Sequence, residues 1–594
     1  MQNKFINDIK IHQESYNSNK KKFQSIGIVK VLLFILFVIC IYQLYNKGIT
    51  TAYLAATPIL LVTQILFWIY HNKIQTEMDY AKGIISLNEK NIARITGDWK
   101  HFKDQGEEYM DVDHPYGNDL DIVGKKSLFQ FLNTTNTYHG RKAFKDAMLH
   151  RSFSPNEVLS RQKAIVELSK DFVFLNNIWY YFSKIGISHN ISEFIQELQS
   201  NRPFLKHKIL KPILMRLPIV TCILLGLSLL FPQLRILLPI SVGFVFLQMV
   251  IWLVGVPSIH NYLMRTSGHT FKLNPYCTII DIIEQQEFQS EKLKEVQNIL
   301  SASDVSAKKA IKELNKINDR LSARHNSILY FVLNILLLWD YECIILMENW
   351  KNAYAPYCEE WFTALGEFES LTCFANMPDV CALTCIPEIS DGKKITANEL
   401  GHPLIMNEDR VTNSMNFNND IFIISGSNMS GKTTFLRTVG INLILAKCGS
   451  FVCADKLEFS LFQIVTSMRI ADDLNEGIST FYAELKRIKH IIDAAKMDSN
   501  TLFLIDEIFR GTNSADRLSG ARTVAAKLHS FGVSGMITTH DLELCSLESQ
   551  YARMHNFNFR ETYEDKKIKF DYKMRSGKSQ TTNAKFLMEL VGIL

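Results

Sequence analysis

Four long apolar runs stand out from an otherwise polar chain. The first extends from Ile26 to Tyr45, interrupted by Gly27, Lys30 and Gln43, and the second from Tyr53 through Trp68 to Tyr70. The third and fourth, Leu217 to Phe231 and Ile236 to Val256, flank the short turn Pro232-Gln233-Leu234-Arg235. Runs of this length match the hydrocarbon thickness of a bilayer and predict two transmembrane helical hairpins. Tyr42, Tyr45, Tyr53, Trp68, Tyr70 and Trp252 lie near run ends, where amphipathic aromatics favour the interface. Lys20, Lys21 and Lys22 precede the first run and Lys73 follows the second; Lys206, Lys208, Lys211 and Arg216 precede the third and Arg265 follows the fourth. The two turns carry only Lys47 and Arg235, so both hairpins are expected to dip outward from the cytoplasm. The long polar stretch before Lys22 argues against a cleaved signal peptide.

The C-terminal third has a different rhythm, with short apolar strands alternating with helical patterns. Ile421-Phe422-Ile423-Ile424 runs into Gly426-Ser427-Asn428-Met429-Ser430-Gly431-Lys432-Thr433, followed by Thr434 and a helix. This GxxxxGK[ST] spacing between strand and helix predicts a phosphate loop: backbone N–H groups face phosphate oxygens, Lys432 adds a point charge, and Thr433 offers a hydroxyl to Mg²⁺. A second strand, Leu502 to Ile505, ends in Asp506-Glu507, suited respectively to supporting the metal and to orienting and deprotonating a water. A third, Gly535 to Thr539, ends in His540, placed to sense a γ-phosphate.

The order of these segments resembles the ATPase domain of the MutS family, a branch of the ABC-type ATPases. The matching stretches are GSNMSGKTTFLRTVG from Gly426, DLNEGISTF from Asp473, DEIFRGTN from Asp506 and TTH ending at His540. Gly401-His402-Pro403 resembles the beginning of that domain, and Asn413 falls where the family has an asparagine near the nucleotide. Arg410 stands where many members place an aromatic on adenine, which leaves Val411 as the expected apolar contact. The resemblance implies ATP and Mg²⁺ as cofactors and a homodimer through the ATPase domain, with Ser479 completing the partner's site. It also implies that Arg510-Gly511-Thr512-Asn513 relays nucleotide state between subunits. A weaker likeness to the family's core or lever domain begins at Asp119-Leu120-Asp121-Ile122 and Ser127 to Thr137.

The expected fold class is therefore multidomain: a C-terminal α/β P-loop ATPase of the ABC/MutS type, an α-helical MutS-like core or lever region, and four transmembrane helices. The expected parts are a cytoplasmic segment 1–25, hairpin 26–70, linker 71–118, core 119–216, hairpin 217–256, helical core 257–395 and ATPase domain 396–594. Within the core, Glu291 to Asn326 reads as solvent-facing helix. The setting is a multi-pass protein of the inner (plasma) membrane with a cytoplasmic ATPase.

Composition narrows the choice. Of 594 residues 47% are hydrophobic, and the net charge of +5, from 65 basic and 60 acidic residues, is largely absorbed by membrane flanks. Residues 1 to 118 hold no Phe-x-Glu and too little polar length for a mismatch-reading module. DNA binding is expected to be weak and without mismatch specificity. The 11 cysteines lack zinc spacing and read as free thiols in a reducing compartment. Membrane lipid, a second copy and an unidentified protein are the remaining expected partners. Two alternatives stay open: a mismatch-repair-like protein tethering DNA at the membrane, and an ABC-type ATPase coupled to its spans. Against transport, the runs carry no acidic residue and only Lys30.

Overall fold

The computed structural model describes residues 2–47, 51–186, 195–197, 199–200, 204, 210–231, 233–266, 273–301, 305–469, 480–509, 514–564 and 567–579. Two compact units emerge, both discontinuous in sequence: residues 1–133, 147–180 and 373–594, and residues 134–146 with 181–372.

The first unit begins with two 46-residue helices, α1 (Gln2–Lys47) and α2 (Thr51–Thr96), packed along each other. At 1.5 Å per residue each is about 70 Å long, more than twice a hydrocarbon core, so the apolar runs account only for the distal half. The stretch after Tyr70, left as a linker by the hydropathy pattern, continues α2 to Thr96. There the buried Ile74, Met78, Ala81 and Ile84 recur at helical spacing within a mostly polar stretch. At this polar base Lys4 Nζ lies 2.9 Å from Asp379 Oδ1. Asn88 Nδ2 donates to Asp8 Oδ2 at 2.7 Å, and Arg94 Nε and Nη2 donate to the carbonyls of Phe131 and Asn133. Helix α3 (Tyr138–Leu149) leads to α4 (Pro155–Ser169), which starts with a reciprocal Ser154/Glu157 cap and Pro155 in its first turn. Helix α5 (Phe172–Ile185) follows.

The second unit is helical. Helices α6 (Leu210–Leu230) and α7 (Leu237–Thr266) form a hairpin joined by a buried hydrogen bond, Gln248 Nε2 to Thr221 Oγ1 at 2.6 Å. With α1 and α2 they are, among the described residues, the four single helices long and apolar enough to cross a membrane. Polar pairs between such helices favour a defined register. Beyond them lie α8 (Leu273–Gln285), α9 (Glu291–Ser301), α10 (Ala307–Leu321), α11 (Ser327–Leu337) and the 37-residue α12 (Trp339–Ala375). The chain expected to expose one face from Glu291 to Asn326 forms α9 and α10, whose Leu293, Val296, Leu300, Ile311, Leu314 and Ile317 are buried.

The rest of the first unit is α/β. A four-stranded sheet has the order β1-β5-β2-β3, from β1 (Glu388–Ile389), β2 (Lys394–Leu400), β3 (Asn413–Asn418) and β5 (Lys456–Phe459). A six-stranded sheet, order β10-β9-β4-β8-β7-β6, comprises β4 (Ile421–Ser425), β6 (Gln463–Ser467), β7 (Thr501–Asp506), β8 (Ser534–Thr539), β9 (Met554–Glu564) and β10 (Lys567–Ser576). Only the β9/β10 pair is antiparallel. Strands β4, β7 and β8 are buried along their whole length, as expected of parallel strands covered on both faces. The covering helices include α13 (Lys432–Lys447), α14 (Thr480–Met497) and α15 (Ser514–Ser530). Gly535 permits the closest strand approach: a Cβ there would lie 2.4 Å from the Phe503 carbonyl oxygen.

In the second unit the fully buried carboxyl of Glu369 accepts from the Asn136 N–H at 2.6 Å and the Thr137 hydroxyl at 2.5 Å. Burial pushes its pKa from 4.5 up to about 8, against the pull of those donors. The folded state thus holds a proton more tightly than the unfolded chain. The stabilisation is complete below the unfolded pKa and fades as pH rises through the folded one. The apparent melting temperature of the solubilised protein is expected to fall between roughly pH 5 and 9 more steeply than that of Glu369→Gln. Parallel pH profiles for the two proteins would refute this.

Candidate nucleotide-binding site

Register puts the site together. Ser425 pairs with Thr539 and Asp506 with Thr538, so the carboxyl ends of β4, β7 and β8 reach one edge of the sheet. Open parallel sheets bind ligands at that edge. The loop leaving β4 needs unusual backbone: Met429 has φ 67° and Gly431 φ 104°, and α13 begins directly after it. A Cβ on Gly431 would also come within 3.0 Å of the Tyr572 ring.

Lys432 is buried, its Nζ donating to the carbonyls of Gly426 and Ser427, each at 2.8 Å. Ser430 Oγ donates to the Ser427 carbonyl and Ser427 Oγ to Glu561 Oε2 at 2.7 Å. Asn428, Met429 and Thr434 are exposed along the loop and first helical turn. Thr433 Oγ1 donates to Asp506, 3.0 and 2.9 Å from its two carboxylate oxygens. Thr538 Oγ1 donates to Asp506 Oδ1 at 2.6 Å and accepts from the Glu507 N–H at 3.1 Å. One hydroxyl therefore fixes both acids. Glu507, at φ 58°, turns its carboxylate to within 2.5 Å of His540 Nε2.

These groups face a cleft of about 730 Å³ that Val411, Asn413 and Tyr572 also line. Glu507 is shared with a smaller cavity of about 250 Å³ beside His540 and Arg517. Asn413 lies at the cleft, but its amide is spent on backbone: Nδ2 donates to the Tyr572 carbonyl and Oδ1 accepts from the Met574 N–H. Arg410 turns its guanidinium away to the carbonyls of His402 and Ile405 and to Asn407 Oδ1. His402 is buried and held down to about 3 by desolvation and by Arg437 and Arg410, so it is neutral.

Sequence reasoning missed several neighbours. Tyr572 and Glu561 have no spacing signature, and the strand register alone brings them in; Thr538 lies within the TTH stretch but had no role assigned to it. Asp119 and Asp121, expected at the start of a core or lever region and given no role at the site, bind residues beside the same edge. Asp119 accepts from Thr466 Oγ1, from the Met468 and Arg469 N–H groups and from Arg487. Asp121 accepts from Arg437 and Arg469. They thereby hold both flanks of the segment 470–479. Ser479, the rest of the stretch from Asp473, and Arg510 to Asn513 lie outside the described residues.

The Thr433 hydroxyl and Asp506 carboxylate form a hard-oxygen pair of the kind Mg²⁺ accepts alongside phosphate oxygens. Among the described residues no group of three or more His, Cys, Asp or Glu side chains could hold a metal alone.

Comparison with known proteins agrees with this geometry. Residues 422–591 match MutS domain V. The DNA mismatch repair protein MutS of Geobacillus kaustophilus is 29% identical over 262 residues, 43% of this chain and 29% of the relative. That of Bacillus subtilis is 31% identical over 267 residues, 43% and 30% respectively, and that of Chlorobaculum parvum 34% over 215 residues, 35% and 24%. The chain thus matches less than a third of the length of these relatives. Over this C-terminal region the chain is similar to the MutS family.

Proposed function

We propose that the protein is a membrane-anchored, Mg²⁺-dependent ATPase that works as a dimeric conformational switch. The observation that carries the reading is the contact of Thr433 with Asp506 beside the buried Lys432, at the end of a glycine-rich loop opening a helix. In this reading residues 426–433 are a P-loop. Its N–H groups and the positive end of α13 take the β- and γ-phosphates, and Lys432 exchanges its two carbonyl partners for phosphate oxygens. Thr433 and Asp506 hold Mg²⁺, which when bound neutralises charge on the phosphate oxygens. Glu507 orients the attacking water and takes its proton, and His540, hydrogen-bonded to Glu507, fixes that carboxylate and meets the γ-phosphate. Tyr572 supplies the aromatic surface for adenine that Arg410 does not, with Val411 opposite and Asn413 holding the Tyr572 backbone. Ser479 completes the site of a second copy.

Helices α1, α2, α6 and α7 anchor the chain, leaving the ATPase on the cytoplasmic side. Relatives named for DNA mismatch repair favour a subsidiary reading, weak and sequence-blind DNA contact through phosphates, without mismatch preference.

Glu507→Gln is expected to retain ATP binding and to lower turnover about a hundredfold or more, because the cradle survives and the base is lost. Lys432→Ala is expected to lose both. Nucleotide binding and phosphate release on the purified protein decide; parental turnover in Glu507→Gln would overturn the assignment. Tyr572→Ala is expected to weaken ATP binding by roughly tenfold, as loss of one aromatic stack, while Tyr572→Phe keeps it. Equal affinities for all three proteins would remove Tyr572 from the adenine site.

A further inference from the structure

The 11-residue helix α11, SILYFVLNILL, lies well below the length of a span by itself and is apolar and long enough to cross a membrane only together with the helix beyond its bend. Its surface is nevertheless that of a membrane helix. Ile328 is 80% exposed, and Leu329, Phe331 and Val332 are each nearly half exposed. The side bearing Tyr330 packs on the second hairpin: Trp252 of α7 meets Tyr330 and the inner edge of the half-exposed Phe331 edge-on, with ring centroids 5.7 and 5.9 Å apart. A mostly apolar crevice of about 560 Å³, lined by Met215, Ile219 and Ile223 of α6 and by Leu337, Leu338 and Ile345, continues this surface across the elbow into α12; Glu342, the single charged residue lining it, is ion-paired with Arg320 at 2.8 Å.

The elbow is built to leave little polar backbone wanting. The chain bends by 78° at Leu338, which adopts the left-handed conformation. Buried Asn334 donates to the Tyr330 carbonyl at 3.0 Å and accepts from the Asp340 N–H at 3.0 Å. Asp340, fully buried, accepts from Arg324 Nε at 3.0 Å, Arg324 Nη2 at 3.1 Å and the Tyr330 hydroxyl at 2.6 Å. At the other end Asn326 caps the helix by accepting from the Leu329 N–H. In hydrocarbon, non-helical backbone is tolerated only where it is satisfied by protein groups in this way.

We propose that α11 is a fifth membrane-seated element, a half-helix lying in the lipid hydrocarbon beside the α6/α7 hairpin, its exposed Ile328, Leu329, Phe331 and Val332 covered by acyl chains. The inference rests on the reading of α6 and α7 as membrane spans. Continuity with their apolar surface, through Trp252 and the crevice, selects lipid as the occupant. At about 17 Å, α11 reaches roughly halfway through a bilayer and returns at the elbow.

The test is photolabelling of the full-length protein in phosphatidylcholine vesicles with a diazirine confined to the hydrocarbon, followed by peptide mapping. Adducts are expected on residues 327–337 at the level seen on α6 and α7, and roughly tenfold above those on α10. Labelled α6 and α7 with an unlabelled α11 would overturn this inference and leave the anchor intact. No label on any of the three would overturn both. If Val332→Cys instead forms a disulfide to a second copy while α11 escapes the probe, the face is a protein interface and the proposal fails.

Discussion

The Asp506 carboxylate, at the buried end of β7 and clasped by the hydroxyls of Thr433 and Thr538, is the interaction on which the site depends. It ties β7, β8 and the first turn of α13 to one point. Because Thr538 also accepts from the Glu507 N–H, the same hydroxyl sets where the second acid leaves the sheet. Glu507 then meets His540 from the next strand end. None of this requires a flexible loop to find its place. Parallel register fixes it, and the entirely buried β4, β7 and β8 fix the register.

Around that point the chain adds contacts that no ATPase motif contains. Asp119 and Asp121 grip Arg437 on α13, Arg469 at the last residue before 470–479, and Arg487 on α14. Asp119 is buried, and a buried carboxylate held by several donors, the Arg487 guanidinium among them, resists separation far more than an exposed pair does. The polar base of α1 and α2 is knitted to the same unit through Lys4 with Asp379 and Arg94 with the carbonyls of Phe131 and Asn133. Two helices twice the bilayer thickness thus continue, beyond their apolar halves, into the body that holds the cleft.

What was legible in the sequence follows from locality. The glycine loop, Asp506-Glu507 and His540 announce themselves because their chemistry is written in consecutive residues after apolar strands, and the structure brings all of them to one edge. The four apolar runs were legible as helices long and apolar enough to cross a membrane, because length and composition are read directly from the sequence. Tyr572 and Glu561 were not, since nothing but pairing of β10 and β9 places them there; Thr538 was legible only as part of the strand that leads to His540. Asn413 was foreseen at the cleft, yet its amide proves to hold backbone. The extension of α2 to Thr96 was hidden by its polar composition, and α11 by its brevity.

The central claim joins an ATPase and a membrane anchor in one folded chain. It is tested most directly by floating the full-length protein with vesicles after an alkaline carbonate wash and assaying Mg²⁺-dependent ATP hydrolysis across the gradient. The account predicts that hydrolysis stays with the vesicle fraction and disappears there in Lys432→Ala. Activity released by carbonate into the soluble fraction, or vesicle-bound protein whose hydrolysis does not depend on Lys432, would contradict it.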